Sequence, residues 1–174
     1  MVATIALKYT QSNSVGVAYD GQVIGMGAGQ QSRIHCTRLA CDKAEKWLLQ
    51  QHPRLLAAPL QRGVKRVDKF NLLDQYLMWD QLSKTEATAM LEGFTSPPEP
   101  LDSQARAAWI GQYSGLCLSS DAFIPFRDNV DRASRSHVQY IAQTGGGLRD
   151  ADVIAAAEHY GMTMILTGLR LFLH

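Results

Sequence analysis

The sequence predicts an α/β protein whose helices and strands form a three-layer α/β/α sandwich around a mixed sheet. Two observations carry this prediction. In the last third of the chain, apolar runs typical of strands alternate with segments of helical spacing, a pattern that favours parallel strands joined by helices. Near the start, Asp20-Gly21 separates two apolar runs, and this dipeptide favours a tight turn between antiparallel strands. We therefore expect both kinds of strand pair in one sheet.

The first part of the chain is predicted to hold strands followed by a long helix. Three runs rich in apolar residues predict the strands, at residues 2–9, 15–19 and 22–26. A helix is predicted over 33–52, with Ser32 as its N-cap and Pro53 just beyond its end. Residues three and four apart on this helix predict one inward-facing stripe, made of Ile34, Thr37, Cys41, Ala44 and Leu48.

The rest of the chain is predicted to be helical in its middle and alternating in its last third. Helical spacing is found at 70–82, 85–94 and 102–113, and the prolines of 96–100 indicate a surface connector. After these segments, strands are predicted at 116–119, 138–143 and 162–167, with helices at 128–135 and 150–160 between them. The closing apolar run, 170–174, indicates either a last strand on the same sheet or a segment docked elsewhere.

Composition limits the class of protein. A chain of 174 residues with 46% hydrophobic and 19% charged residues is typical of one globular domain. A formal charge of +1 gives no argument for nucleic acid or an acidic membrane as a partner. No apolar run approaches the roughly 20 residues that span a bilayer, and no signal peptide pattern is present. Three cysteines without framework spacing indicate a reducing compartment, so we expect a cytoplasmic protein.

Several familiar catalytic motifs are missing from the sequence. There is no Cys-x-x-Cys pair, no His-x-Glu of the zinc deaminases and no Gly-x-Ser-x-Gly of serine hydrolases. The glycines at 27–29 are not followed by the Gly-Lys-Ser/Thr of a P-loop, and their spacing does not match the dinucleotide fingerprint. The sequence therefore predicts neither a catalytic zinc site nor a serine nucleophile. It also predicts neither a P-loop nor a dinucleotide-binding motif.

Two polar segments near the start are candidate binding elements. Residues 8–14 carry seven hydrogen-bonding side chains at the end of a predicted strand, which suits either a polar ligand or ion, or simply a hydrophilic turn. Residues 27–38 form a glycine turn that leads into a helix with Arg33 in its first turn. Helix N-termini and arginines favour anions, so Arg33 could hold a carboxylate or phosphate; a tight turn with a solvated arginine is the alternative.

A third candidate segment, 119–132, mixes aromatic and polar side chains. Phe123 and Phe126 could stack on a flat heterocycle, while neighbouring carboxylate and amide groups pair with its edge. Alternatively, both phenylalanines belong to the core and Asp128 caps a helix. The two interpretations are compatible. The glycine turn 144–147 before a predicted helix is weaker, because such turns usually only connect a strand to a helix.

Taken together, five segments resemble the AICAR transformylase domain, which in most organisms is fused to IMP cyclohydrolase: 8–15, 21–40, 63–66, 119–133 and 170–174. The resemblance implies a cytidine-deaminase-like α/β/α unit, with residues 1–174 as the C-terminal unit of that domain and a helical insertion at about 70–115. It implies transfer of a formyl group from 10-formyltetrahydrofolate to AICAR, giving FAICAR, in de novo purine biosynthesis. It also implies a cytosolic homodimer with active sites at the subunit interface, and an upstream half of the domain as a further partner.

The resemblance also implies roles for individual residues. The AICAR side would be formed by Asn13, Arg33, Arg170 and Phe172, with Asn13 in a supporting catalytic role and Arg170 on the phosphate. The folate side would be formed by Ile34, Phe123, Asp128, Asn129, Gly147 and Leu148. Potassium would be held by oxygens of Thr10, Ser12, Ser14 and Asp121. His174 matches the family's terminal histidine, and many relatives have serine at the position of Gly147.

One part of the family's chemistry is missing from this chain. The proton-transfer pair, an adjacent Lys-His, belongs to the preceding unit, and no Lys-His dipeptide occurs in these residues. The amine of AICAR is a weak nucleophile, so its attack needs a general base and a partner for the developing oxyanion. We therefore expect either the folate-side half of a formyltransferase that another segment or chain completes, or a folate- or nucleotide-binding module without turnover.

Overall fold

The computed structural model describes residues 1–173; His174 lies outside the described residues. Within these residues there are eight α-helices: α1 (Val2–Leu7), α2 (Arg33–Leu49), α3 (Pro53–Leu56), α4 (Arg66–Leu77), α5 (Lys84–Leu91), α6 (Ser103–Ile110), α7 (Asp128–Arg135) and α8 (Asp150–His159). The five strands are β1 (Val15–Tyr19), β2 (Gln22–Gly27), β3 (Cys117–Ser120), β4 (Tyr140–Gln143) and β5 (Thr163–Leu166). The chain divides into a sandwich unit, Met1–Glu45 with the chain from Gly111 onward, and a helical unit, Lys46–Ile110.

The sandwich unit contains a mixed sheet in the order β2-β1-β3-β4-β5. β1 is antiparallel to both β2 and β3, whereas β3, β4 and β5 run parallel. Helices flank this sheet, as in a three-layer α/β/α sandwich, so the predicted fold class is confirmed. The parallel pairs are joined through α7 and α8, which explains the alternating pattern in the last third of the sequence.

The predicted turn between β1 and β2 is confirmed. Asp20 and Gly21 both have positive φ angles, 44° and 76°, as a type I′ turn requires. The register slips by one residue between Val17 and Ala18, which pair with Gly25 and Val23. Ile24 is therefore the extra residue of a β-bulge in β2.

The strand predicted at residues 2–9 is wrong, because Val2–Leu7 forms the helix α1. Ala3 and Leu7, four residues apart, are buried, and α1 packs against the sheet. The side chain of Thr4 lies 2.9 Å from Ser119 of β3, oxygen to oxygen. Packing against the sheet thus overrides the β-preference of the Val and Ile residues in this run.

α2 packs on the opposite side of the sheet with its backbone almost touching β2. A Cβ atom added to Gly25 would lie 2.0 Å from the carbonyl oxygen of Ala40, and one added to Gly27 would lie 2.2 Å from that of Cys36. The predicted inward stripe is also buried at Thr37, Cys41, Ala44 and Leu48, whereas Ile34 is half-buried. α2 is therefore buried along two faces.

A buried arginine joins α7 to α2. Arg132 donates to Asp42 at 2.6 Å, to Glu45 at 2.9 Å and to Ser136 at 2.6 Å. Its charge is thus matched by two carboxylates, as a buried charge requires. The side of α7 that holds Arg132 also buries Asn129, Val130 and Ala133.

The helical unit is held by its own contacts. The indole nitrogen of Trp109 donates to the carbonyl oxygen of Leu48 at 2.8 Å, and Lys46 forms an ion pair with Asp74 at 2.9 Å. The predicted helix at 70–82 begins earlier, at Arg66, and the helix predicted over 33–52 ends at Leu49. Pro53 then starts the short α3, where a proline suits the first turn.

None of the helices within residues 1–173 has both the length and the apolar character that crossing a membrane demands.

Candidate functional site

A buried carboxylate, Asp121, lies at the centre of the candidate site in the sandwich unit. It follows β3 directly and has no exposed surface. Its Oδ2 accepts hydrogen bonds from the Ser12 hydroxyl at 2.5 Å, the Ser14 hydroxyl at 3.0 Å and the Ser14 backbone N–H at 3.0 Å. The polar segment 8–14 is therefore more than a hydrophilic turn, since its hydroxyls satisfy a buried charge.

Arg33, the first residue of α2, supplies the opposite charge. Its guanidinium forms an ion pair with Asp121 and donates to Asn13 Oδ1 at 2.9 Å and to the carbonyl oxygen of Ser14 at 3.0 Å. Only 6% of Arg33 is exposed, and this burial lowers the pKa of its guanidinium to about 10. Arg33 therefore remains charged at neutral pH, and the alternative of a solvated arginine does not hold.

Residues 169–173 dock onto the same loops without forming a strand. The backbone N–H of Leu171 donates to the carbonyl oxygen of Asp121 at 2.8 Å. Ser12 donates from its backbone N–H to the Leu173 carbonyl oxygen at 2.8 Å and accepts from the Leu173 N–H through its hydroxyl at 2.7 Å. These bonds bring Arg170 and Phe172 to the ion pair of Arg33 and Asp121.

Five of the predicted site residues line one pocket of about 310 Å³: Asn13, Arg33, Phe123, Arg170 and Phe172. Gln31, Ser32, Ala122 and Pro125 complete the lining. The Phe172 ring lies close to two guanidiniums, 5.9 Å from that of Arg33 and 5.3 Å from that of Arg170, measured to the ring centroid. The pocket thus combines two cationic groups with aromatic walls.

Phe123 forms the wall of this pocket that leads to the glycine turn 145–147. A Cβ atom added to Gly147 would lie 2.8 Å from the Phe123 ring and 2.9 Å from an oxygen of Asp150. Asp150 holds the turn by accepting from the backbone N–H groups of Gly146 at 2.7 Å and Gly147 at 3.1 Å. Glycine at 147 therefore lets the Phe123 ring rest directly on the turn, while Leu148 is fully exposed beside it.

The remaining predicted folate-side residues differ in exposure. Asp128 is exposed, whereas its neighbour Asn129 is 2% exposed and fully hydrogen-bonded inside the protein. Ile34 is half-buried and is not part of the pocket lining. Asp128 does not cap α7 with its side chain; the helix begins at Asp128 itself.

The four residues expected to bind potassium do lie together. Thr10 donates to the Ser14 hydroxyl at 2.8 Å, and Ser12 and Ser14 both donate to Asp121. Three of the four side chains are hydroxyls and the fourth is a carboxylate, so all four offer oxygen atoms. The carboxylate is already paired with Arg33, so an ion here would share Asp121 with the guanidinium.

Two of the three cysteines, Cys36 and Cys41, are buried free thiols. Cys36 donates to the carbonyl oxygen of Asn13 at 3.0 Å, and burial raises the pKa of its thiol. Burial likewise raises the pKa of Cys41, to about 11. Among residues 1–173, no group of three or more His, Cys, Asp or Glu side chains is placed to hold a metal ion.

Sequence reasoning missed the contacts by which two buried polar residues, Gln143 and Thr37, support the site. Gln143 of β4 accepts from the backbone N–H of Ile124 at 2.8 Å and so holds the loop that carries Phe123. Thr37 donates to Asn129 across the α2–α7 interface at 2.7 Å. A polar residue inside an apolar stripe was the available signal for Thr37; the pairing of Gln143 with a loop 19 residues away left no local signal.

One comparison with known proteins bears on this site. Residues 1–43 match the family model described as AICARFT/IMPCHase bienzyme. The matched segment, about a quarter of the 174 residues, includes the loop of Asn13 and the start of α2 with Arg33. Over these residues the chain is similar to that family.

Proposed function

We propose that this chain supplies the folate-side half of an AICAR formyltransferase site, which moves a formyl group from 10-formyltetrahydrofolate to AICAR and yields FAICAR. The observation that carries the proposal is the convergence of Asn13, Arg33, Phe123, Arg170 and Phe172 on one pocket. These residues come from loops and a helix start that are far apart in sequence, and two cationic side chains beside aromatic rings suit an anionic nucleotide and a flat heterocycle.

The reaction needs positioning as well as proton transfer. A C–N bond forms between the AICAR amine and the formyl carbon, and the bond from that carbon to N10 of the folate breaks; the amine loses a proton and N10 gains one. In this proposal Arg170 holds the nucleotide phosphate, and Asn13 and Arg33 lie at the transferred formyl group. The Nε–H of Arg33 is buried and has no hydrogen-bond partner among the described residues.

In this proposal the folate contacts Phe123, Asp128, Gly147 and Leu148. The Phe123 ring is 44% exposed and rests on the glycine turn, which gives a flat apolar surface for a pterin ring. Asp128 presents an exposed carboxylate that can accept hydrogen bonds from the edge of such a ring.

A partner unit is part of this proposal, because no Lys-His pair is present in these 174 residues. An upstream transformylase unit, in the same or another subunit of a homodimer, would supply the general base. Exposed apolar side chains beside α1 are consistent with such an association: Tyr140 and Ile165 border a cleft of about 310 Å³ between this helix and the sheet.

A second candidate function is a folate- or nucleotide-binding module without turnover, and the missing Lys-His pair favours it for these residues alone. Losing a general base typically lowers the rate by about 10²–10⁴-fold. The same pocket would then bind ligands without completing the transfer.

Formyl transfer from 10-formyltetrahydrofolate to AICAR separates the two candidates, measured with this chain alone and then mixed with an upstream transformylase unit that contains Lys-His. Turnover only in the mixture supports the proposal. Ligand binding without turnover in either sample supports the binding module. Turnover by the chain alone would contradict our account of the missing base.

The Arg170→Ala variant tests the residue assignment in the active mixture. Loss of a charged hydrogen bond to phosphate is expected to weaken AICAR binding by about 10- to 100-fold. Arg135→Ala is the matched control, since Arg135 is an exposed arginine at the end of α7. Equal effects of the two substitutions would remove Arg170 from the site.

We propose further that potassium binds the oxygens of Thr10, Ser12, Ser14 and Asp121 and stabilises the loop that carries Asn13. Thermal unfolding in potassium chloride and in sodium chloride of equal ionic strength tests this, because a bound ion raises the melting temperature. A potassium effect that persists in Asp121→Asn would place the ion elsewhere.

A further inference from the structure

The hydroxyl of Thr37 and the side-chain amide of Asn129 form a buried hydrogen bond between α2 and α7. The Thr37 Oγ1 lies 2.7 Å from Asn129 Oδ1 and 3.1 Å from the carbonyl oxygen of Arg33, one turn earlier on α2. Thr37 is 1% exposed and Asn129 is 2% exposed. A hydrogen bond with this burial is costly to break, because water cannot replace it.

The NH₂ group of Asn129 is fully used as well. It donates to the carboxylate of Asp128 at 2.9 Å and to the carbonyl oxygen of Phe126 at 3.2 Å. The reversed amide would place its oxygen against these two acceptors, so only one orientation satisfies the group. In this orientation the amide oxygen accepts from the Thr37 hydroxyl, and the amide nitrogen contacts the exposed Asp128 carboxylate.

We propose that Thr37 and Asn129 are positioning residues that orient the Asp128 carboxylate toward the folate; this inference rests on the proposed function. Asn129 acts through Asp128 rather than touching the ligand, because its oxygen and both amide hydrogens already have partners inside the protein. Arg33 and Thr37 lie one turn apart on α2, so one helix sets the position of groups on both sides of the site.

Thr37→Val tests the relay, because valine keeps the shape of threonine and removes the hydroxyl. Thr37→Ser keeps the hydroxyl. The matched control is Thr88→Val, because the Thr88 hydroxyl likewise lies close to the carbonyl oxygen four residues earlier, at 2.9 Å, but is exposed on α5. The kinetic readout is the KM for each substrate in the mixture with the upstream unit.

We expect Thr37→Val to raise the KM for 10-formyltetrahydrofolate about tenfold and to leave the KM for AICAR within about twofold of wild type. Thr37→Ser and Thr88→Val should behave as wild type. Equal increases for both substrates in Thr37→Val, or a loss that Thr37→Ser does not rescue, would overturn the positioning role and leave only a packing role.

A second readout needs no substrate, so it distinguishes failure of the relay from failure of the proposed function. The Asn129 side-chain NH₂ signals of the ligand-free chain are followed by ¹⁵N NMR. In wild type both protons should be protected from solvent exchange, and in Thr37→Val this protection should drop. Unchanged signals in Thr37→Val would overturn the relay, whatever the enzyme assay shows. Absent formyl transfer by the wild-type mixture would instead count against the proposed function.

Discussion

The side-chain oxygen of Gln143 accepts a hydrogen bond of 2.8 Å from the backbone N–H of Ile124, and both residues are fully buried. This bond joins strand β4 to the loop that carries Phe123. Its other end is also engaged, because the Gln143 amide nitrogen lies 3.3 Å from the sulfur of Met164 on β5.

Gln143→Leu is expected to lower the free energy of unfolding by about 1–3 kcal/mol, because the Ile124 N–H is left buried without a partner. Urea unfolding measures the change. Gln139→Leu is the control: Gln139 accepts from the backbone N–H of Gly115 at 2.6 Å, but it is exposed, so water can replace it. Similar losses of unfolding free energy in the two variants would mean that the buried Gln143 bond stabilises the fold no more than the exposed Gln139 bond does.

Gly25→Ala is expected to destabilise the sandwich unit by about 3 kcal/mol or more, because the new methyl group meets the carbonyl oxygen of Ala40. Gly16→Ala is the matched control in the neighbouring strand. There the nearest atom is the flexible end of Met26, at 3.2 Å, so the expected cost is below about 1 kcal/mol. Urea unfolding of both variants provides the comparison, and a well-tolerated Gly25→Ala would contradict the close packing of α2.

Asp121→Asn is expected to lower the free energy of unfolding by about 3–5 kcal/mol, since it leaves the buried Arg33 guanidinium without its counter-charge. Adding Arg33→Gln to this variant should restore part of the loss, because no unpaired charge then remains. Asp131→Asn serves as control: it removes an exposed ion pair with Arg127 and should cost at most about 1 kcal/mol. A double variant less stable than the sum of its single changes would argue against a direct pair.

The three thiols are expected to react at different rates with iodoacetamide near neutral pH. Cys36 and Cys41 are fully buried, and burial raises the pKa of both thiols, so little thiolate is available. Cys117 is half-buried and lines the cleft beside α1, so it should be labelled first. Mass spectrometry of the native protein gives the order, and the denatured protein shows that all three can react. Rapid labelling of Cys36 in the native state would mean that α2 does not stay on the sheet.

Features with a local cause could be predicted from the sequence. Asp20-Gly21 specifies its own turn because both residues must adopt positive φ, and both do. The prediction of a strand over residues 2–9 was wrong because β-branched residues only favour strands. The packing of Ala3 and Leu7 against the sheet makes this segment a helix instead.

The sequence predicted which residues meet at the candidate site better than it predicted the contacts they make there. Asn13, Arg33, Phe123, Arg170 and Phe172 were expected and do converge on one pocket, whereas their roles stay predictions. For the adjacent polar pair Asp128 and Asn129, the sequence did not say which one faces inward. Asn129 faces inward because α7 buries the side that also carries Val130 and Ala133. Which side is buried is decided by the packing of α7 on α2.

The near contact between α2 and β2 at Gly25 and Gly27 limits how this protein can respond to a ligand. Backbone resting on backbone leaves no layer of side chains that could rearrange and let the helix slide. Any adjustment to a ligand must then come from the loops at the ends of the strands, around Asn13, Phe123 and Gly147. Substitutions in these loops alone could therefore change the ligand specificity, while α2 and the sheet keep their positions.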